Sequence, residues 1–207
     1  MYICVAGMPM RIDSAQKEWF DPLYLPYERR DDRAPMMNIR TRMLDEIPCP
    51  EGEVVQSIKS ATIFKLADGR HCRCSRNLDG NIYLATYYNS DYSDVEIQMR
   101  RGMIHPQFTS EGWEYSLTGF SFQDRLTALG GGVLHASSIA WRGHGIAFSA
   151  NSGTGKSTHV GLWQQLLGDE VTVVNDDKPA IVFEDGTPML CGTPWSGKTP
   201  CYKNQSC

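Results

Sequence analysis

The segment Ala150-Asn151-Ser152-Gly153-Thr154-Gly155-Lys156-Ser157-Thr158 constrains this chain more than any other. It follows the pattern G-x-x-x-x-G-K-[ST] at every position but the first, where alanine replaces glycine. An apolar run, His144–Ser149, enters it, and a helical pattern, Lys156–Leu167, leaves it. The residue types have physical reasons. Glycines at 153 and 155 permit backbone conformations that turn successive N–H groups inward around an anion. The N-terminus of the following helix adds partial positive charge. Lys156 supplies a mobile cation for β- and γ-phosphates, and Ser157 offers a hydroxyl to Mg²⁺. The expected nucleotide-binding residues are Ser152, Gly153, Thr154, Gly155, Lys156, Ser157 and Thr158.

A second signal lies beyond the helical pattern. The apolar run at residues 171–174 ends in Asn175-Asp176-Asp177. In α/β nucleotide sites, ligands gather at the C-terminal ends of strands. Asp176 there can hold Mg²⁺ directly or through water. Asp177 beside it is available to accept a hydroxyl proton. The alternative is a solvated turn or helix cap, helped by Asn175. His135, inside the apolar run at 133–136, is a third candidate. A lone strand histidine is more often structural. His144 falls in a turn and faces solvent, whereas His159 lies just past the loop, where it could be near a bound nucleotide but need not be.

Residues 1–120 read as a mostly antiparallel β domain. The opening MYICVAGMPMRID lacks a basic leader region and reads as a first strand rather than a signal peptide. Residues 18–53, with the charge cluster at 28–33, read as surface loop plus a short helix. Asp68-Gly69 and Asp79-Gly80 are hairpin turns between strand-like runs at 61–66, 70–74 and 81–88. Residues 95–99 alternate as a half-buried strand should. A short helix is expected over residues 122–129. Residues 121–207 form the second domain, with strands at 133–141, 144–149, 171–174, 180–183 and 189–191. The last fifteen residues hold no regular element. Within them, Thr193-Pro194-Trp195-Ser196-Gly197-Lys198 could bring Lys198 to phosphates or Trp195 to a substrate; the alternative is a surface turn with a buried tryptophan.

Composition removes several function classes. The chain has 20 basic and 24 acidic residues, for a net charge of -4. It therefore lacks the basic footprint of non-specific nucleic-acid or membrane-surface binding. No apolar run approaches the ~18 residues of a membrane helix. The 7 cysteines are scattered, odd in number and without an export signal, which points to reduced thiols in a cytoplasm. Cys49, His71, Cys72 and Cys74 lack the spacing of a structural zinc site. Cys72 and Cys74 should share one strand face and His71 the other. Tyr87, Tyr88 and Tyr92 read as packing, not as a platform for single-stranded nucleic acid.

Taken together, His135, the strand pair after it, Ser152-Gly153-Thr154-Gly155-Lys156-Ser157 and Asp176-Asp177 resemble the catalytic core of HPr kinase/phosphorylase. The spacing from His135 to Lys156 also matches. The Ser-Gly-Thr-Gly-Lys wording is equally similar to ATP-dependent phosphoenolpyruvate carboxykinase, which shares that fold. The stretch from Leu134 to Lys198 looks most like the HPr-kinase-related proteins of bacteria, and the resemblance covers about residues 120–198. It implies an α/β (α+β) fold class: the N-terminal β domain followed by a phosphoenolpyruvate carboxykinase/HPr kinase-like P-loop domain. It implies an ATP–Mg²⁺ phosphotransferase acting on a hydroxyl of an unidentified protein or small molecule, in the cytoplasm, with a possible homo-oligomer. Lys156 would bind the phosphates and Ser157 the metal. Asp176 and Asp177 would share metal binding and proton abstraction, and His135 would sit beside the transferred phosphate. Two departures stand out. Thr158 occupies a position where HPr kinase has an acidic residue, and the chain stops at Cys207, short of that family's further strands and helical segment. A truncated second domain is therefore expected. The competing readings are a non-catalytic ATP-binding sensor or fragment, a carboxykinase-like enzyme and a simple P-loop ATPase.

Overall fold

Turns with positive φ place the first strands of the chain. In the computed structural model, which describes residues 1–29, 32–58, 61–102, 109–197 and 207, β1 (Tyr2–Val5) folds back on β2 (Met8–Asp13) through Ala6 and Gly7, at φ 50° and 76°. The opening apolar run is thus a hairpin rather than one strand. α1 (Lys17–Tyr24) then carries the chain across to β3 (Met37–Leu44), which lies parallel to β2. β4 (Gly52–Ile58), β5 (Ala61–Leu66), β6 (His71–Arg76), β7 (Ile82–Tyr88) and β8 (Asp94–Arg100) form an antiparallel meander. Its last strand returns parallel beside β3, so the eight-stranded sheet is mixed, in the order β1-β2-β3-β8-β7-β6-β5-β4.

The rest of the chain adds α2 (Ser110–Ala128), β9 (Gly132–Val133), β10 (Ala136–Trp141), β11 (His144–Ser149), α3 (Lys156–Leu167), β12 (Val171–Asn175), β13 (Ala180–Glu184) and β14 (Thr187–Cys191). They form two three-stranded sheets, β11-β10-β12 and β14-β13-β9. The expected strand over residues 133–141 is interrupted at Leu134 and His135. The ladder nevertheless continues across the gap. The Leu134 N–H donates to the Pro179 carbonyl at 3.0 Å, and the Ala136 N–H to the Asp177 carbonyl at 3.1 Å. The pairing Val133 with Ala180 therefore runs on in register to Ser138 with Asn175.

The expected α/β (α+β) class, with a P-loop domain of the phosphoenolpyruvate carboxykinase/HPr kinase type over residues 121–207, is overturned. Of the described residues, 43% are in strands and 24% in helices, which makes the structure mostly β. Among the described residues there are three α-helices. In an α/β domain each helix returns the chain to a parallel neighbouring strand. Here Arg142 and Gly143, at φ 50° and 79°, fold β10 directly onto β11. β12 pairs antiparallel with the other side of β10. β11 and β12 run the same way but are never neighbours. The first sheet also departs from the antiparallel expectation, because the stretch read as surface loop plus a short helix holds, besides the helix α1, the strand β3, parallel to both of its neighbours.

The main core lies on one face of the large sheet. Ile3, Val5, Met10, Ile12, Met37, Ile39, Val95 and Ile97 are buried there, together with Phe20 and Tyr24 of α1 and Phe122 and Leu126 of α2. Burying each large side chain contributes about 1.5–3 kcal/mol. α2 starts well before the expected helix at 122–129. Thr109 caps it by accepting the Gly112 N–H at 3.1 Å. Its inner face is largely polar but fully partnered. Glu114, 1% exposed, accepts from Ser14 Oγ and Thr41 Oγ1, both at 2.6 Å, and from Gln16 Nε2 at 2.8 Å. Arg125 donates to the Met36 carbonyl at 3.1 Å and to Asp91 Oδ2 at 2.8 Å. Among the described residues, no helix is long and apolar enough to cross a membrane.

Candidate functional site

Three strand ends meet at one edge of the β11-β10-β12 sheet. Ala136 at the start of β10 pairs with Ser149 at the end of β11, and Ser138 pairs with Asn175 at the end of β12. The residues just beyond these ends are His135, the glycine loop and the two aspartates. With β10 between them, β11 and β12 are two strand spacings apart, roughly 10 Å. Sheet pairing thus brings the loop and the carboxylates, distant in sequence, to one place. The Ser149 hydroxyl reinforces the edge by donating to the His135 carbonyl at 3.2 Å.

The loop is held by its glycines. Gly153 and Gly155 take φ 80° and 90°. A Cβ on Gly153 would meet nothing within 4 Å, so the requirement there is conformational rather than steric. Thr154 Oγ1 donates to the Asn151 carbonyl at 2.8 Å. α3 starts at Lys156, whose ammonium folds back to the Ala150 carbonyl at 3.0 Å and the Asn151 carbonyl at 3.4 Å. Ser152, Thr154, Ser157 and Thr158 are exposed. The first N–H groups of α3 have no partner within the helix. An open groove of about 690 Å³ runs past Phe148, Thr154, Lys156 and His159. His159 is also a packing residue: its ring meets Phe148 edge-on at 4.5 Å, and its Nε2 accepts from Trp163 Nε1 at 3.2 Å. His144 is exposed.

The two aspartates diverge because Asn175 shapes the turn. Buried Asn175 accepts the N–H groups of Asp177 at 2.9 Å and Lys178 at 2.7 Å through Oδ1. Its Nδ2 donates to the Thr193 carbonyl at 2.9 Å. Thr193 Oγ1 in turn donates to the Lys178 carbonyl at 2.7 Å. Asp176 Oδ1 accepts from Ser137 Oγ at 2.8 Å. Asp177 Oδ1 lies 3.2 Å from His135 Nε2, and its Oδ2 lies 3.9 Å from the Lys178 ammonium. The structure therefore groups His135 with Asp177 and sets Asp176 apart on Ser137. Ser137, Asn175, Lys178 and Thr193 are the supporting residues that sequence reading left without a role. Only Asn175 carried a local signal, as an asparagine opening an acidic turn.

The segment after β14 closes on the same turn. Gly197 approaches Asp177 so closely that a Cβ there would come within 2.8 Å of the Asp177 Cβ. Trp195 is 2% exposed, stacks on Phe122 at 4.8 Å and donates to Thr118 Oγ1 at 3.3 Å. The tryptophan is therefore buried, but residues 191–196 around it are buried as well rather than forming a surface turn. Lys198 lies outside the described residues.

Among the described residues, no group of three or more His, Cys, Asp or Glu is arranged to hold a metal by itself. Ser157 and Asp176 offer a different donor set, one hydroxyl and one carboxylate. It suits Mg²⁺, which keeps several waters and takes one or two carboxylates plus phosphate oxygens. Cys72 and Cys74 share a face, as expected, with sulfurs 3.4 Å apart, while His71 stacks on Tyr88. Cys4, Cys49, Cys72, Cys74, Cys191 and Cys207 are free thiols. No family model, curated protein or solved structure matches this chain.

Proposed function

We propose that the chain is a phosphotransferase that binds MgATP at the glycine loop and transfers the γ-phosphoryl group to a hydroxyl. One observation carries this reading: the strand register that sets the loop, Asp176 and the His135–Asp177 pair at one sheet edge. Backbone N–H groups of the loop and of the first turn of α3 would cradle the phosphates. Lys156, resting on two loop carbonyls, would exchange them for β- and γ-phosphate oxygens. Ser157 and Asp176 would hold Mg²⁺, which supplies charge neutralisation on the phosphates when bound. Asp177 would accept the acceptor's hydroxyl proton, with His135 holding its carboxylate in place. The resemblance to HPr kinase/phosphorylase at these residues supports this chemistry. Free thiols are in keeping with a reducing, cytoplasmic setting.

The test compares wild type, Lys156→Ala and Asp177→Asn for MgATP affinity and for γ-phosphate consumption with and without alcohols. Wild type should bind and turn over, Lys156→Ala should bind at least about tenfold more weakly, and Asp177→Asn should bind normally but turn over about 10²–10⁴-fold more slowly. Binding without turnover in the wild type would leave a nucleotide sensor. Phosphate release that ignores every alcohol would leave an ATPase. Unchanged affinity in Lys156→Ala would remove the loop from the site.

A further inference from the structure

A second recess, of about 80 Å³, lies between α2, β9 and the segment after β14. Gly119, Phe120, Val133 and Trp195 form apolar walls, and Asp177 and Lys178 also border it. Among the described residues, it shares no lining residue with the groove along the glycine loop. Asp177 borders the recess and not the groove. The proposed proton acceptor therefore meets a space that a nucleotide in the groove leaves open.

The recess is built from fixed parts. The Trp195 indole lies on the backbone of Gly119, where a Cβ would come within 2.9 Å of its ring. The Thr118 hydroxyl and the Phe122 ring hold the other sides of that indole. Phe120 is 53% exposed although both residues after it are buried, so a large ring is kept at the mouth. Size then selects the occupant. A cavity of about 150 Å³ admits benzene. The recess, about half that volume and open on one side, matches a branched group of about three carbons better than a whole aromatic ring.

We infer that this recess is the acceptor subsite, and that the acceptor is an alcohol with a short branched aliphatic group beside its hydroxyl. The inference rests on the phosphotransfer reading. The alcohol oxygen forms a bond to the γ-phosphorus, and the bond from that phosphorus to the bridging oxygen breaks. Its electron pair leaves with ADP, and the alcohol proton goes to the Asp177 carboxylate.

The probes are 2-methylpropan-1-ol, methanol and benzyl alcohol, each with MgATP and the full chain. Alkyl phosphate is read by ³¹P NMR, and binding by the Trp195 indole ¹H–¹⁵N resonance, assigned against Trp195→Phe. Three extra buried carbons should raise kcat/KM for 2-methylpropan-1-ol over methanol by roughly 50-fold. Benzyl alcohol should show no such gain. Ser116, which borders the recess and bonds only back to the Gly112 carbonyl, is the site for a filling substitution. Ser116→Leu should bring 2-methylpropan-1-ol down to the methanol level, with its unfolding midpoint and nucleotide affinity reporting that it is folded. Equal transfer to methanol and 2-methylpropan-1-ol, or a preference for benzyl alcohol, would overturn the subsite. So would the absence of a saturable Trp195 shift in the wild type. A saturable shift without any alkyl phosphate would instead sink the phosphotransfer reading and leave the recess as a binding site.

Discussion

His135 Nε2 and Asp177 Oδ1 lie 3.2 Å apart, across a gap where both of their strands pass from one small sheet to the next. A side chain between a ring nitrogen on one oxygen and an ammonium on the other is held in one orientation. General-base catalysis contributes about 10²–10⁴ in rate. Asp177→Asn should therefore lower phosphoryl transfer by about that factor, while the dissociation constant for MgATP moves by less than about threefold. Calorimetric titration beside a turnover assay checks it. An affinity loss as large as that of Lys156→Ala would place Asp177 in the nucleotide site instead.

The loop glycines permit a cleaner test. A non-glycine residue in the left-handed region costs about 1–2 kcal/mol. Gly155→Ala, at φ 90°, should lower stability by that amount and abolish tight MgATP binding. Gly161→Ala provides the control. It lies inside α3, where a Cβ meets nothing within 4 Å, and should stabilise by about 0.5–1 kcal/mol. Urea unfolding and nucleotide titration of both variants give the comparison.

Glu114 tests how α2 is docked. Its carboxylate satisfies Ser14, Thr41 and Gln16 from inside the core. Glu114→Ala strands those donors, and about 3 kcal/mol of stability should be lost. Glu114→Gln keeps an acceptor oxygen and should lose less. Equal urea midpoints for the two variants would show that the carboxylate's bonds do not hold the helix.

How much of this was readable in advance depended on range. α3, β11 and β13–β14 were legible because each carries its own periodicity and a local turn. β3 was not. Arg40 and Arg42 alternate with buried Ile39 and Thr41, so a central strand looks like a charged loop. α2 hid its extent because Glu114, Thr118, Ser121 and Arg125 form a polar inner face whose partners come from elsewhere in the chain. At the site, the loop and the aspartates were visible as contiguous motifs. The bonds Ser137–Asp176 and Asn175–Thr193 were not, because they join segments that meet only when the sheets form. The overturned fold class has the same origin. A strand, a loop and a helix in sequence do not state which strand lies alongside.

Alkaline conditions should weaken the fold through Cys191 and Tyr24. Burial pushes the Cys191 thiol from its ordinary value of 9.0 up to about 11. Burial also raises the Tyr24 phenol. Both groups are kept neutral by the fold. Below 9.0 they are neutral in the unfolded chain as well, and their contribution is fully present. As pH rises, the unfolded chain gives up its protons first, and stability is lost through the folded value. The melting temperature should fall across the window from 9.0 to about 11, with a shallower slope in Cys191→Ala. Parallel slopes would remove the thiol as a cause.

Trp195 has a wider consequence. The sheet that carries the glycine loop keeps only a small apolar cluster of its own, around Ile139, Val160 and Val171. Trp195, with Ala180 and Cys191, is instead embedded in the cluster that holds Ile3, Met10, Tyr24 and Phe122. The neighbouring β14-β13-β9 sheet, which starts from the Asp177 turn, is thus anchored on the large sheet. A substitution under that sheet would shift Trp195 and, two residues on, Gly197, whose backbone lies against Asp177.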